Sequence, residues 1–252
     1  GVLILALEIE PVHIKLKKDD LAERVLVAGD PGRIRQLSAL LEDVRLVSEN
    51  RGFLIYTGVY EGKSVSLACH GVGAPSAAIV IEELRAYGAK AMLRLGTAGG
   101  LRRGQGYGDL VIPTSAASNP GGTLGQYVHD ICLAPAPSHE LVNAILEAAR
   151  KRAAKFELGP VYSSDAFYAE DPGMAIRLSS MGFRAIEMEC AVLFAISQLR
   201  GFSSAALLMI SDSLVEHAPM LDAEQMRKYV ESASRIALDA LTSYEISQRA
   251  SR

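Results

Sequence analysis

AMLRLGTAGG, residues 91–100, is the stretch whose reading decides the fold. Ala91, Met92, Leu93 and Leu95 form a short apolar run, the signature of a strand buried on both faces of a sheet. Arg94 interrupts it. A guanidinium stays charged at any ordinary pH, so a core arginine is costly unless an anion lies beside it. The run then gives way to Gly96-Thr97-Ala98-Gly99-Gly100, which reads as a glycine segment just past the strand end, where backbone amides can approach a ligand closely. Ligands of open α/β sheets bind at the carboxyl ends of strands. The stretch therefore reads as the wall of an anion site, with Arg94 and Thr97 facing one oxyanion. An edge-strand arginine before an ordinary glycine turn is the plain alternative.

Outward from this strand, similar strand-to-turn units recur. Upstream, Ala74 to Tyr87 carries a helical stripe (Ile79, Ile81, Leu84) with Pro75 suited to its first turn and Gly88 to its end. It is preceded by His70-Gly71-Val72-Gly73, another glycine turn. Two strands joined at Glu61-Gly62-Lys63 read as a hairpin, and Arg51 stands at its entrance. Earlier still, the strand VLVA (25–28) ends in Gly29-Asp30-Pro31-Gly32-Arg33 and an amphipathic helix begins. A strand, a glycine turn and a helix N-terminus together can hold an anion on the first helical amides. His13 lies in an extended segment after an N-terminal stub, residues 1–12, expected to be loose.

Downstream, Asp109 to Pro113 is a strand, and the Gly-, Pro- and Ser-rich residues 115–137 read as a long loop. Val161 to Tyr168 is expected to be a strand ending on aromatics. Glu187 and Glu189 stand at the mouth of an apolar helix, where the dipole favours acids in any case. Ala205 to Ile210 is the most hydrophobic strand and ends in Ser211-Asp212-Ser213; Ala223 to Ser243 is an amphipathic helix. Alternating strands and helices argue for a mainly parallel sheet between helices.

Composition narrows the function classes. The chain has 252 residues, a formal net charge of −3, and no basic stripe of the kind that binds nucleic acid. No apolar run is long enough for a membrane span, and the start, GVLILALEIEP, has no basic flank or cleavage site, so a cytoplasmic protein is expected. Cys69, Cys132 and Cys190 form no CxxC pair and the histidines no HExxH, so neither metal nor cofactor is expected. Cys132 reads as a free buried thiol or as a cross-subunit disulfide. The absence of a P-loop and of GxGxxG argues against nucleoside triphosphates and dinucleotides.

The strand ends collect Gly29, Arg33, Arg94, Thr97, Phe167, Glu189 and Asp212, with Arg51 as a third arginine. Three cations and glycine amides suit a phosphate dianion. A glutamate can accept from two adjacent hydroxyls, an aromatic suits a flat base, and a second acid can protonate a leaving group. Together they describe phosphate, sugar and base in a row.

GDPGR (29–33), NRGF (50–53), HGVGAPS (70–76), RLGT (94–97), SSDAFY (163–168), EMEC (187–190) and SD (211–212) occur in an order that resembles the nucleoside phosphorylase I family, from about His13 to the last helix. Within it the chain is similar to hexameric purine nucleoside phosphorylases and archaeal 5'-methylthioadenosine phosphorylases. The resemblance implies one three-layer α/β/α domain over residues 1–252, with a twisted, mainly parallel mixed central sheet. It implies a pentosyltransferase that splits inosine, guanosine, adenosine or 5'-methylthioadenosine with inorganic phosphate as co-substrate and no other cofactor. Gly29, Arg33, Arg94 and Thr97 would hold phosphate, joined by Arg51 of a neighbouring subunit. Glu189 would bind the ribose hydroxyls, with Met188 packed on the sugar and Glu187 close to it. His13, also from the neighbour, would approach the 5' position; Phe167 and Ser211 would lie at the base, and Asp212 would act on purine N7. A homo-oligomer follows, a hexamer built as a trimer of dimers.

The family's bacterial members place an arginine on the last helix beside the aspartate; here simple alignment gives Gln225, with Arg227 as a possible substitute. Uridine phosphorylases lack the aspartate, and nucleosidases of this fold have no need of the three arginines. A nucleoside-binding protein without turnover is the alternative from another class. On this reading, loss of Arg94 should weaken phosphate and leave nucleoside affinity almost unaltered.

Overall fold

The computed structural model describes residues 9–17, 19–169 and 171–246. Its first half contains β1 (Arg24–Ala28), α1 (Pro31–Ser38), β2 (Glu42–Ser48), β3 (Ile55–Tyr60), β4 (Lys63–Cys69), α2 (Ala74–Ala86) and β5 (Ala91–Gly100). Then follow β6 (Leu110–Ser118), α3 (Gly122–Tyr127), α4 (His139–Lys151), β7 (Phe156–Ser163), α5 (Pro172–Ser180) and β8 (Ala185–Glu187). The last elements are α6 (Cys190–Arg200), β9 (Ser203–Ser213) and α7 (Ala223–Ser243).

The strands form one mixed sheet in the order β2-β3-β4-β1-β5-β8-β7-β6-β9, and β9 also pairs with β5, so one half of the sheet closes on itself. β5 is the axis of this arrangement. It runs parallel to β9 along its whole length and parallel to β1 through Arg24↔Ala91 to Val27↔Arg94. β1 stops there, and β8 joins only at Gly99↔Ile186 and Gly100↔Ala185, antiparallel. Between Arg94 and Gly99 that edge of β5 has no ladder partner among the described residues and lies in the crevice between diverging strands, the kind of place where α/β sheets bind ligands.

Alternation sorts the core into two layers. Leu26, Leu93, Leu95, Leu207 and Met209 pack with Ile34, Ile145, Ile236 and Leu241 of α1, α4 and α7. Val25, Val27, Met92, Ala206 and Leu208 pack with Val80, Ile81, Leu193 and Phe194 of α2 and α6. Helices thus cover both faces, as a buried and largely parallel sheet requires. Arg94 shares the parity of Met92, so it projects toward α2 and α6.

Several local expectations hold. Pro75 lies in the first turn of α2, Gly88 follows its C-cap Tyr87 with φ +105°, and the β3–β4 hairpin turns through Glu61 and Gly62, both at positive φ. Others need correction. The glycines after Leu95 do not lie past the strand: β5 continues through Gly100, because β9 and then β8 supply ladder partners. Likewise β9 continues through Asp212 to Ser213. Residues 115–137 are not all loop, since Ser115 to Ser118 extend β6 beside β7 and α3 follows. β7 ends at Ser163, and the aromatics Phe167 and Tyr168 lie on a separate 3₁₀ turn. Cys132 is free and exposed, not buried.

Of the stub expected to be loose, residues 1–8 lie outside the described residues. From Val12 onward the chain is pinned: the amides of Val12, His13 and Ile14 all donate to the Glu83 carboxylate on α2, and His13 Nδ1 lies 2.8 Å from its Oε1. Burial pushes the Glu83 carboxyl up, but these donors outweigh it and hold it below the usual range.

Candidate active site

Arg94 is 4% exposed and lies among two carboxylates and one imidazole. Its Nη2 is 2.5 Å from Glu189 Oε2 and donates to Glu187 Oε2 at 3.1 Å; Nε donates to the same Glu187 oxygen at 3.3 Å. Burial opposes the charge of Arg94, but Glu189 and Glu187 outweigh it and raise the guanidinium above its ordinary value. An arginine between two acids resolves the cost of burying any one of them alone.

Both acids also sit on helix N-termini. Glu187, the last residue of β8, accepts from the Glu189 and Cys190 amides at the start of α6 and from the Ser163 hydroxyl. Glu189 Oε1 accepts from the Gly73 amide at 2.6 Å, at the start of α2. A first-turn preference for acids does not describe them: the Glu189 side chain caps a different helix from the one it precedes.

The crevice beside β5 holds a second arginine. Arg33 Nη1 donates to the Leu95 carbonyl, taking a place on the edge that β1 has left, while its Nε is buried without a hydrogen-bond partner among the described residues. Burial first, and Arg94 next, lower the Arg33 pKa to about 10, with Asp30 and Glu189 opposing. Burial and the neighbouring Arg94 thus weigh against the Arg33 charge more than these two acids support it. The Gly32 amide is not free to supply the site, because Asp30 accepts from it at 2.7 Å as the cap of α1. Gly29 is packed tightly, since a Cβ there would lie 2.9 Å from the Gly71 carbonyl. Thr97 is half-buried on the opposite side of β5 from Arg94. Strand alternation directs its backbone amide to the same open edge as the Leu95 carbonyl, so a shared oxyanion would meet the amide of Thr97.

Gly96 makes the arrangement possible. A Cβ at this position would stand 2.8 Å from Arg94 Nη2 and 2.9 Å from Leu208 Cδ2. The arginine tip is anchored by the carboxylates and cannot give way. Gly96→Ala is therefore expected to cost about 1–3 kcal/mol through overpacking, read as a lower midpoint in urea; an unchanged midpoint would show that Arg94 has room to move.

Further along β5 the chemistry changes. Asp212 lines a cleft of about 380 Å³ whose walls include Met174, Ala175, Ile186, Leu214, His217 and Met220. Burial raises its carboxyl pKa, while a 2.8 Å hydrogen bond from the Ser211 hydroxyl works in the other direction. Neither residue of α7 considered as its partner performs that task. Gln225 closes a capping box with Asp222, and Arg227 pairs at the surface with Glu224. β8 joins the two regions: Ile186 faces the cleft and Glu187 holds Arg94.

Not every candidate residue comes to this centre. Phe167 is 46% exposed and stacks edge-on against Tyr168 at 5.1 Å. Met188 is half-buried, its terminal methyl facing Gly73. Arg51, at φ +55°, is exposed, and the neighbouring Asn50 side chain donates to the His13 carbonyl. Asn50 thus ties the segment that carries Arg51 to the backbone of His13. Sequence reasoning gave no role to Ser163, Gly73 and His70, although all three fall within the motifs SSDAFY (163–168) and HGVGAPS (70–76). Arg94 also holds Glu189, so its loss would disturb that carboxylate as well as remove a cation, a wider effect than the sequence alone implies. Among the described residues no group of His, Cys, Asp and Glu is arranged to hold a metal ion, and no helix is long and apolar enough to cross a membrane.

A family model described as the phosphorylase superfamily matches residues 23–242. A guanosine phosphorylase of Halorubrum lacusprofundi is 33% identical over 236 residues, covering 91% of this chain and 97% of that protein. Purine nucleoside phosphorylases of the DeoD type from Roseobacter denitrificans and Clostridium beijerinckii are 33% and 34% identical, covering 91% and 93% of this chain and 98% and 99% of theirs.

Proposed function

The chain belongs to the phosphorylase superfamily, and on that premise we propose that it is a purine nucleoside phosphorylase, a pentosyltransferase acting on inosine, guanosine or adenosine, with 5'-methylthioadenosine a further candidate. The reaction is reversible: nucleoside and inorganic phosphate give free base and ribose 1-phosphate. The observation that carries the phosphate half is the buried Arg33 Nε, without a hydrogen-bond partner among the described residues, close to Arg94 at the unpaired edge of β5.

In this reading Arg33, Arg94, Gly29 and the Thr97 amide receive phosphate, and Glu189 accepts from the ribose 2'- and 3'-hydroxyls, with Met188 and Glu187 beside the sugar. Phe167 and Ser211 belong to the base side. As C1'–N9 stretches, the sugar gains oxocarbenium character and the purine gains negative charge. Phosphate oxygen forms the new bond to C1' from the opposite face. Glu189 and the dianion stabilise the cationic sugar electrostatically, and protonated Asp212 gives its proton to N7, so that the base leaves neutral. No metal or organic cofactor enters these steps.

Arg51 and His13 make no hydrogen bond or ion pair with the Arg94 cluster among the described residues, and Asn50, next to the exposed Arg51, donates to the His13 carbonyl. This supports a homo-oligomer in which each subunit supplies them to its neighbour, the dimer being the working unit and a hexamer of three dimers the assembly. The three free cysteines suit a reducing compartment such as the cytoplasm.

The test is release of free base from inosine, adenosine, 5'-methylthioadenosine and uridine, with and without phosphate. Purine release that requires phosphate is expected. Release without phosphate would make the protein a nucleosidase, release from uridine alone a pyrimidine enzyme, and no release a binding protein.

A further inference from the structure

His70 follows the last residue of β4, at the point where three segments around the edge of β5 meet. Its amide donates to the Ala28 carbonyl just before Gly29, its carbonyl accepts from the Ser76 hydroxyl in α2, and its ring lies against Arg94. It is 1% exposed. The ring nitrogens have unequal partners. Nδ1 lies 2.8 Å from the Gly71 carbonyl, which can only accept, so Nδ1 carries the proton. Nε2 then presents a lone pair, and Arg94 Nη1 donates to it at 3.2 Å. Burial, reinforced by Arg94, pushes the imidazole pKa down to about 3, so the ring remains neutral in this tautomer across the physiological range.

We infer that His70 is a positioning residue for phosphate: a neutral, tautomer-locked acceptor that fixes the plane of the Arg94 guanidinium. The carboxylates hold the Nε and Nη2 edge, and on their own would leave the guanidinium free to tilt about that edge. His70 takes one hydrogen of Nη1. The second Nη1 hydrogen has no partner among the described residues and is the one left for an incoming oxyanion. A histidine in the other tautomer, or a protonated one, would set an N–H against an N–H and turn Arg94 away. The proposal rests on the phosphorylase reading and adds a residue to it.

Steady-state kinetics in phosphate and in nucleoside would separate positioning from mere packing. His70→Asn keeps a donor for the Gly71 carbonyl but withdraws the acceptor from Arg94, whereas His70→Gln places an amide oxygen near the position of Nε2. The Asn variant is expected to raise the phosphate KM about tenfold or more, the scale of one hydrogen bond to a charged group, while kcat at saturating phosphate falls less than threefold. The Gln variant is expected to return the phosphate KM to within about threefold of the parent. Thermal melting identifies a variant that has not folded, and ¹⁵N NMR of the parent's histidine rings then decides by itself: a ring protonated at Nε2 overturns the proposal. An unchanged phosphate KM in folded His70→Asn, or equal losses in kcat and KM without rescue by Gln, also overturns it. If wild-type cleavage needs no phosphate, or Arg94→Met leaves the phosphate KM unaltered, the functional reading fails first.

Discussion

Asp212→Asn is expected to lose about 10²–10⁴ in kcat with inosine, the usual contribution of a positioned general acid. With a nucleoside whose base leaves readily without protonation, the loss should be far smaller. The substitution is conservative in shape. Asn retains an oxygen to accept from Ser211, as Oδ1 does now, and its volume suits the same wall of the cleft. What it removes is the transferable proton. Burial holds the Asp212 pKa above its ordinary value, so the acid form persists to higher pH than a free carboxyl would allow. The sign of the pH dependence follows: activity is present below the folded pKa and declines as pH rises through it. Stability runs the same way, since a raised folded pKa means the native state binds the proton more tightly. The carboxyl therefore costs stability at pH values above its unfolded pKa, and the Asn variant should be more stable than the parent there but not well below about pH 4, where both folded and unfolded carboxyls hold their proton. Equal losses of kcat on good and poor leaving groups would remove Asp212 from the acid's role.

The layered α/β fold was legible because it depends on alternation and periodicity. Leu93 and Leu95 against Met92 and Arg94, or the stripe of α7, predict a face and a period directly. The reach of β5 and β9 was not legible. Gly96, Gly99 and Gly100 have the chemistry of a turn, and only the double pairing with β9 and β8 makes them strand. Their lack of side chains serves neighbours remote in sequence: Arg94 folds over Gly96, while Asp212, Ile186 and Leu214 crowd Gly99. The site was legible at its charges, since Arg33, Arg94, Glu187 and Glu189 are expensive wherever a core is near. Their mutual pairing was not, because it depends on α2 and α6 bringing their N-termini to one side of β5. Gln225 shows the limit of reading by position: a residue aligned with a catalytic helper serves here as a helix cap.

That pairing governs what Arg94→Met should do. Arg94 is the charge against which both Glu187 and Glu189 are buried, at 5% exposure each. Removing one partner of a buried ion pair leaves the other uncompensated and typically costs about 3–5 kcal/mol. For a chain of this size that corresponds to a fall of roughly 6–20 °C in melting temperature. On the proposed reading phosphate loses a cation and the Glu189 carboxylate loses the contact that aims it, so kcat/KM should fall for phosphate and nucleoside together. A drop in both could also come from general loosening, which a second variant separates. Arg94→Met combined with Glu187→Gln and Glu189→Gln discharges the stranded acids, and apolar or neutral replacement of a whole buried ionic group is often tolerated. The triple variant should recover most of the lost melting temperature and none of the phosphate use. Recovery of phosphate-dependent turnover along with stability would mean that Arg94 serves the fold and that Arg33 alone receives the anion. Failure to recover stability would mean instead that Arg94 acts through its packing over Gly96 and not through its charge.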